Sequence, residues 1–360
     1  MILFTAFLGI LMTACVFKVH SVGWSERRFE VGKFNQENTL SLRGILAALI
    51  VLHHLSMYFP LSVTEQFRHW GGALVAVFFF ITGYGLAVSY RRKGVGYLDG
   101  FLRKRLSGIL PQFIVLVLLY SSGYCLFMDY SIKEIMYDLA NGRTLSSLPN
   151  SWFIYVIIYV YVAFYVSLKL CGDMVRGGAL FVCMLAAYVV FAAVVFEFSP
   201  HWWYTVMATG CGYFLAVSED RLESSIARRP YVVIGLLAVL TVVCSALKVM
   251  SLLSAMWFYL WVFLFHMLVP VIVYVSIVIM AQGNPQYGRK RGQRLLRFLG
   301  TVSLELYLVH GVVIYLCDRF DLGAYPAYPV VFACSVAGAW LLARLSVVWR
   351  RDGKAVAVNR

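Results

Sequence analysis

The segment Ser41–His54 places one cation and two imidazoles in an otherwise apolar stretch. Arg43 and His54 are separated by about 16 Å along a helix, and by three turns plus roughly 20° around it. They therefore share a face, whereas His53 points roughly 80° away from Arg43. Arg43 could hold phosphates of an anionic substrate while His54 takes a proton from a hydroxyl. A snorkelling interfacial arginine and a histidine that hydrogen-bonds a neighbouring helix are the structural alternative.

A second group of cations is the run Arg103-Lys104-Arg105, which lies just before an apolar stretch that contains Pro111. Proline is tolerated in the first turns of a helix, so we expect a span to begin here. The three cations could bind phosphates on the cytoplasmic side. They could equally be the positive charges that anchor a span at that face.

Polar residues also occur late in the chain, in the segment Leu299–His310. Ser303, Tyr307 and His310 lie at helical offsets of four and seven and share a face, and Glu305 points the other way. A buried glutamate needs a partner or a proton, and the sequence identifies neither. We predict that these four residues line a pocket; hydrogen bonding between helices is the alternative.

An aromatic stripe follows Asn150-Ser151 and consists of Trp152, Tyr155 and Tyr159. This pattern is typical of an aromatic belt at the membrane interface and of a packing surface. Trp152 and Tyr155 are also candidate pocket residues, because exposed aromatic rings at an external mouth could stack on sugars.

The elements that position these residues must be membrane-spanning helices. Hydrophobic residues make up 61% of the 360-residue chain and charged residues only 13%, against roughly 25% charged in soluble domains. The apolar residues form blocks long enough to span a bilayer. We predict an all-α, polytopic transmembrane helical bundle of about ten or eleven spans, with no soluble domain. The expected spans are 1–17, 42–60, 70–90, 106–128, 152–170, 178–197, 201–217, 230–249, 255–280, 299–317 and 326–348.

The net charge of +14 comes from short basic loops that alternate with loops poor in Lys and Arg. This alternation is the pattern that determines the topology of membrane proteins, so the positive charge does not indicate nucleic-acid binding. It predicts an external N-terminus and a cytoplasmic C-terminus, with a basic tail at 349–360. The eight cysteines are scattered through or beside the apolar blocks. None forms a C-x-x-C pair, so we predict no metal site.

These motifs, taken in order, resemble the membrane acyltransferase-3 family, which O-acylates cell-envelope glycans and other small acceptors. The resemblance places the family domain at 40–348 and makes the span 1–17 an addition. The matching blocks are Leu42-Arg43-Gly44 with His54, Phe78–Tyr84, Arg105 to Pro111, Ser151-Trp152-Phe153, and Leu299-Gly300 with Ser303, Tyr307 and His310.

The resemblance implies residue roles. Arg43 and His54 match the Arg/His pair of the family, and Arg105 matches the first arginine of its R-x-x-R loop. The second arginine of that loop falls on Gly108, where Arg103 and Lys104 could substitute. The family uses acyl-CoA at the cytoplasmic side as donor substrate, and no permanently bound cofactor is implied.

We therefore expect an acyl-CoA-dependent O-acyltransferase, with acetyl as the expected group, in a bacterial inner (plasma) membrane. Its partners would be acyl-CoA, a glycan or glycolipid acceptor and membrane lipids. His54 would act as general base or as a transient acyl carrier, and Arg43 with the 103–105 cations would hold the donor. The alternatives are a transporter or flippase of lipid-linked glycans, for which no internal repeat is visible, and a glycan polymerase.

Overall fold

The computed structural model describes residues 2–21, 34–127, 131, 133–134, 137, 151–252, 254–281 and 293–358. The predicted loops 129–151 and 281–298 lie mostly outside the described residues, as does 22–33 of the first basic loop. In the part of the chain that the structure describes, no residue is in a strand, so the all-α prediction is confirmed. The α-helices in chain order are α1 (Ile2–Ser21), α2 (Gln36–Tyr58), α3 (Gly71–Lys93), α4 (Phe101–Leu106), α5 (Leu110–Phe127), α6 (Trp152–Cys171), α7 (Met174–Val190), α8 (Met207–Val217), α9 (Glu219–Arg228), α10 (Pro230–Met250), α11 (Ala255–Met280), α12 (Arg294–Thr301), α13 (Ser303–Arg319) and α14 (Ala324–Val358).

Most of these helices are long and apolar enough to cross a membrane. Among the described residues, nine helices meet this condition, and a tenth span results if the bent pair α12 and α13 counts as one. The predicted polytopic bundle is therefore confirmed. Every predicted span except 201–217 overlaps one of these nine helices or the bent pair.

The predicted span 201–217 is wrong as a single long helix. The chain makes a 3₁₀ turn at Pro200–Trp202, and an α-helix begins only at Met207. The helix α8 has 11 residues, which corresponds to about 16 Å against a hydrocarbon core of about 30 Å. The segment from Tyr204 to Glu219 nevertheless runs alongside α3 from Gly72 to Arg91, so the error concerns the residue at which the α-helix begins.

The predicted span 299–317 differs at its start. The helix α12 ends at Thr301 and α13 begins at Ser303, and the two are bent by 80°. Gly300, Thr301 and Val302 are weak helix formers, which explains a break at this point. The residues Ser303 to His310 therefore belong to the first turns of a new helix.

The chain divides into two compact units, each built from separate stretches. Unit 1 comprises Met1–Leu42, His69–Leu98 and Ala163–Arg297, and unit 2 comprises Arg43–Arg68, Asp99–Val162 and Phe298–Arg360.

In unit 1, α3 and α8 approach each other closely because of two glycines. A Cβ at Gly83 would overlap the Thr209 carbonyl oxygen, and a Cβ at Gly212 would overlap the Phe80 carbonyl oxygen. Backbones this close require residues without side chains. Gly85 is different, since among the described residues a Cβ there would meet no atom within 4 Å.

The additional N-terminal helix α1 is packed into unit 1, against α10 and α11. The Phe4 ring lies 4.8 Å from the Trp70 ring and 5.7 Å from the Phe265 ring, between centroids. The buried face repeats every three to four residues, as expected for one side of a helix. Its members are Phe4, Leu8, Met12, Cys15 and Val19.

Unit 2 contains all of the predicted site residues. Its helix α13 packs against α14 and α5, and a Cβ at Gly338 on α14 would lie only 2.9 Å from Val309 on α13. Tyr328 on α14 donates a hydrogen bond to the carbonyl oxygen of Phe59, at 3.1 Å. This bond ties α14 to the segment that follows α2. The helix α14 continues through the predicted basic tail as far as Val358.

Candidate active site

The helix α2 runs without interruption through Arg43 and His54, so both residues lie on the face that their spacing predicts. Ala47 and Ile50, between them on this face, are buried, while Arg43 and His54 are half-buried. The Nε atom of Arg43 is buried and has no hydrogen-bond partner within the described residues. A buried donor without a partner is costly, and the role of Arg43 in holding an anion stays a prediction.

The imidazole of His54 pairs with a second imidazole from α13. Its Nδ1 atom lies 3.2 Å from Nε2 of His310, and the ring centroids are 4.8 Å apart. The side chain of His310 is 0% exposed. Two residues that are 256 positions apart in the sequence thus form one polar contact.

The neighbouring His53 is turned toward a different group. Its Nδ1 atom lies 3.0 Å from the carbonyl oxygen of Phe67, in the turn region that follows α2. The centroids of the His53 and His54 rings are 4.7 Å apart. His53 is therefore a neighbour of the histidine pair, with its own hydrogen-bond partner in the backbone.

Aromatic rings pack beside the histidine pair. The Tyr307 ring lies 5.8 Å from the His310 ring, and Phe153 of α6 packs on Tyr307 at 5.0 Å, between centroids. Ser303 and Tyr307 are buried together with His310. The predicted shared face of α13 is thus directed into unit 2.

The sequence analysis required a partner or a proton for a buried Glu305 without identifying either. In the structure, the partner is Gln112 of α5. Its Nε2 atom donates to Glu305 Oε1 at 2.8 Å, and both side chains are buried. The amide oxygen of Gln112 is buried and has no hydrogen-bond partner in the described part of the chain. This polar pair lies on the opposite side of α13 from His310, as the offset of five residues requires.

The guanidinium of Arg105 approaches the ring of Tyr161, on α6. The guanidinium carbon of Arg105 lies 5.4 Å from the Tyr161 ring centroid and 5.6 Å from the Phe101 ring centroid. Tyr161 is also close enough to Arg43 for an electrostatic interaction. Cation–π attraction holds Arg105 at the Tyr161 ring.

The other predicted donor-binding cations, Arg103 and Lys104, are exposed on the short helix α4. The helix begins after Gly100, whose φ of 65° favours glycine. The chain then turns at Gly108, where a Cβ would stand 3.4 Å from the Arg105 carbonyl oxygen. This is an ordinary contact, so the backbone does not require glycine at the position where the family carries its second arginine.

The predicted aromatic pocket residues Trp152 and Tyr155 are half-buried. The Tyr155 ring packs on Phe113 at 5.9 Å, and the Trp152 ring packs on Phe153 at 6.1 Å, between centroids. Phe153 in turn contacts Tyr307. Trp152 thus packs on a ring that borders the histidine pair, and the role of Trp152 and Tyr155 in binding an acceptor stays a prediction.

Two residues of this site were not singled out in the sequence: Tyr161 and Gln112. Tyr161 lies nine positions after Trp152, on the opposite face of α6 from the aromatic stripe, so no pattern marked it. Gln112 did carry a signal, because an amide inside an apolar span needs a polar partner.

Within the described residues, no group of three or more His, Cys, Asp or Glu side chains is arranged to hold a metal ion.

Comparison with known proteins gives the class of this molecule. The model of the acyltransferase-3 family, described as an acyltransferase domain, matches residues 41–344. Because the match covers most of the chain, the protein belongs to this family and is a membrane acyltransferase. All of the predicted site residues fall inside the match, and α1 precedes it. No curated protein and no solved structure matches the chain.

Proposed function

We propose that this protein is an acyl-CoA-dependent O-acyltransferase that transfers an acyl group, with acetyl as the first candidate, to a hydroxyl of a cell-envelope polysaccharide or glycolipid. The observation that supports this most is the arrangement along α2. A half-buried guanidinium with an unpartnered Nε atom lies about 16 Å along the same face from an imidazole. Acyl-CoA is polyanionic at one end and carries its thioester at the end of a long flexible arm.

The donor would bind with its phosphates near Arg43 and Arg105. Arginine is suited to phosphates because its planar fork of N–H groups matches their oxygens. The exposed Arg103 and Lys104 would add attraction that salt screens. The thioester would then lie further along α2, toward His54.

The acceptor would occupy the aromatic side of the site. Ser303, Tyr307, Trp152 and Tyr155 would surround it, and Glu305 with Gln112 would hold α13 against α5. His54 would accept a proton from the acceptor hydroxyl, or would carry the acyl group transiently before passing it on.

The proposed orientation follows from the charge of the loops. The basic loops and the C-terminus would be cytoplasmic, where acyl-CoA is available, and the N-terminus external, in a bacterial inner membrane. Single cysteines in loop 129–151 should react with impermeant thiol reagents added outside, and cysteines in loop 281–298 should not. The background must lack the native cysteines, and reversed labelling would contradict this orientation.

The central test uses the full chain purified in lipid nanodiscs. We expect release of free CoA from acetyl-CoA, faster with a suitable glycan acceptor, and no release above background for His54→Ala. His53→Ala is the matched control, because its ring is bonded to the Phe67 carbonyl. Flippases and polymerases do not consume acyl-CoA, so wild-type protein that releases no more CoA than His54→Ala would overturn the proposal. NMR of the envelope polysaccharide from a deletion strain should show which ester groups are lost.

A further inference from the structure

The two imidazoles of the site are held in the same way by their own helices. Nδ1 of His54 lies 3.0 Å from the carbonyl oxygen of Ile50, and Nδ1 of His310 lies 3.1 Å from the carbonyl oxygen of Leu306. Each carbonyl belongs to the residue four positions earlier. The rings then meet through unlike nitrogens, Nε2 of His310 and Nδ1 of His54, at 3.2 Å.

These three contacts determine where the hydrogens lie. A carbonyl oxygen only accepts, so Nδ1 of His310 must carry its hydrogen, and the neutral ring then has its lone pair on Nε2. Nε2 of His310 accepts a hydrogen bond from Nδ1 of His54, which also faces the Ile50 carbonyl. Both neighbours of His54 Nδ1 are therefore acceptors. The hydrogen of neutral His54 belongs on Nδ1, and its lone pair on Nε2.

We propose that His310 is a positioning residue that fixes His54 in the Nδ1–H tautomer and so presents the Nε2 lone pair to the reacting atoms. The inference rests on the proposed acyl transfer, because both routes considered above, general base and acyl carrier, need this lone pair. It assigns to a buried imidazole the task that a carboxylate performs in a Ser-His-Asp triad.

The reaction step balances with these two residues and the two substrates. Nε2 of His54 takes the proton of the acceptor hydroxyl as its oxygen attacks the thioester carbon. The C–O bond forms, the C–S bond breaks, and the leaving thiolate of CoA takes the proton back from Nε2. While His54 is an imidazolium, its Nδ1–H still donates to His310 Nε2, which shares the positive charge without itself needing to take a proton.

The surroundings of the pair are consistent with this assignment. The titratable neighbours in unit 2 are His53, whose ring is 4.7 Å from that of His54, and Tyr307, whose ring is 5.8 Å from that of His310. Nδ1 of His53 faces the Phe67 carbonyl oxygen. The imidazole partner of His54 Nδ1 is thus Nε2 of His310.

Two substitutions of similar polarity separate positioning from packing. In His310→Gln the amide oxygen is as many bonds from Cα as Nε2 was, so it can still accept from His54 Nδ1–H. In His310→Asn the amide reaches only as far as Nδ1, so it can replace the bond to Leu306 but not the bond to His54. We expect His310→Gln to keep kcat within a few-fold of wild type. His310→Asn should lose about ten- to a hundredfold in kcat, with little change in the KM for acetyl-CoA.

A second readout does not depend on acyl transfer. ¹⁵N NMR of the histidine-labelled protein in nanodiscs should show His54, assigned by its loss in His54→Ala, as the Nδ1–H tautomer in wild type and His310→Gln. In His310→Asn its two nitrogens should shift toward a mixture of tautomers. Equal activity of the two variants, whether both high or both low with normal melting, would overturn the inference, as would a wild-type His54 protonated on Nε2. Wild-type protein with the expected tautomer but no acyl-transfer activity would instead contradict the proposed function alone.

Discussion

Two buried histidines in this protein have the same local structure and different neighbours. His310 in unit 2 and His266 in unit 1 each place Nδ1 near the carbonyl oxygen four residues earlier, at 3.1 Å and 2.6 Å. Beyond that shared contact, Nε2 of His310 meets the imidazole of His54. The ring of His266 instead packs on that of Tyr204, at 4.5 Å between centroids.

The difference lies in what the second nitrogen can do. An imidazole exchanges protons near neutral pH, whereas a phenol with a pKa of about 10 keeps its proton. Nε2 of His266 and the hydroxyl of Tyr204 both point at Gly72, where a Cβ would meet them at 2.7 Å and 2.5 Å. A buried histidine that hydrogen-bonds only to a carbonyl of its own helix is therefore first expected to have a structural role. It becomes a candidate for chemistry when its other nitrogen contacts a second proton-exchanging group.

The largest expected effect tests whether chemistry belongs to the His54 region. His54→Ala should lower the rate of acyl transfer by about a hundred- to ten-thousandfold, as for loss of a general base. His266→Gln should keep near-normal turnover per folded molecule. The measurement is ester formation by purified variants at matched expression and melting temperature. If His266→Gln were the inactive variant, the distinction between the two histidines would be wrong.

The next effect concerns stability around His266. Gly72→Ala should lower the free energy of unfolding by about 1–3 kcal/mol, because its Cβ would push against Tyr204 and His266. Gly85→Ala on the same helix is the matched control, since its Cβ would meet open space among the described residues; it should be neutral or slightly stabilising. Thermal unfolding in nanodiscs measures both. Loss of turnover without loss of stability in Gly72→Ala would assign chemistry to this region after all.

The third prediction concerns donor binding. Arg105→Glu should raise the KM for acetyl-CoA by about three- to tenfold, and Arg103→Glu by less, because Arg105 packs on the Tyr161 ring and Arg103 is exposed. Donor titrations at two salt concentrations check this, and the Arg103 effect should decrease more at high salt. Equal, small changes in KM for both variants would indicate that the cations of α4 anchor the helix at the membrane face and do not bind the donor.

The contrast between the two histidines also shows how far the sequence leads. The long apolar blocks predicted the spans because a bilayer imposes a minimum helix length. The spacing of Arg43 and His54 predicted a shared face because helix geometry is fixed locally. Contacts between distant segments were not predictable in this way. His310 and His54 are 256 residues apart, and nothing in either segment states which helices will pack together.

The same limit explains the errors in the predicted spans. The stretch 201–217 is apolar enough for a span, but where its helix begins depends on the turn after Pro200 and on close packing with α3. Hydropathy reports burial, and it does not distinguish burial in lipid from burial against protein. The bend before Ser303 is different, because the three weak helix formers Gly300, Thr301 and Val302 are visible in the sequence and could have indicated it.

The smallest expected effect concerns the polar pair formed by Gln112 of α5 and Glu305 of α13. Glu305 lies on the same helix as His310. Glu305→Leu removes the acceptor of the Gln112 Nε2–H group, and Gln112→Leu removes this one donor from the Glu305 carboxyl. Removing both groups together should cost less than the sum of the single changes. Polar pairs between membrane helices are worth only about 0.6 kcal/mol on average, so the double-mutant cycle should give a coupling of roughly that size.

The kcat of the same variants shows whether Gln112 and Glu305 have a structural or a chemical role. If Gln112 and Glu305 only hold α13 against α5, the double Leu variant should recover stability together with most of the kcat, since His310 would be held in place again. The free energy of unfolding and the kcat are measured for all four proteins in the same nanodiscs. A double variant as stable as wild type but inactive would show that the carboxyl or the amide contacts the reacting groups. The comparison between the two histidines would then have to include this pair, as a second buried polar group on α13 with a chemical role.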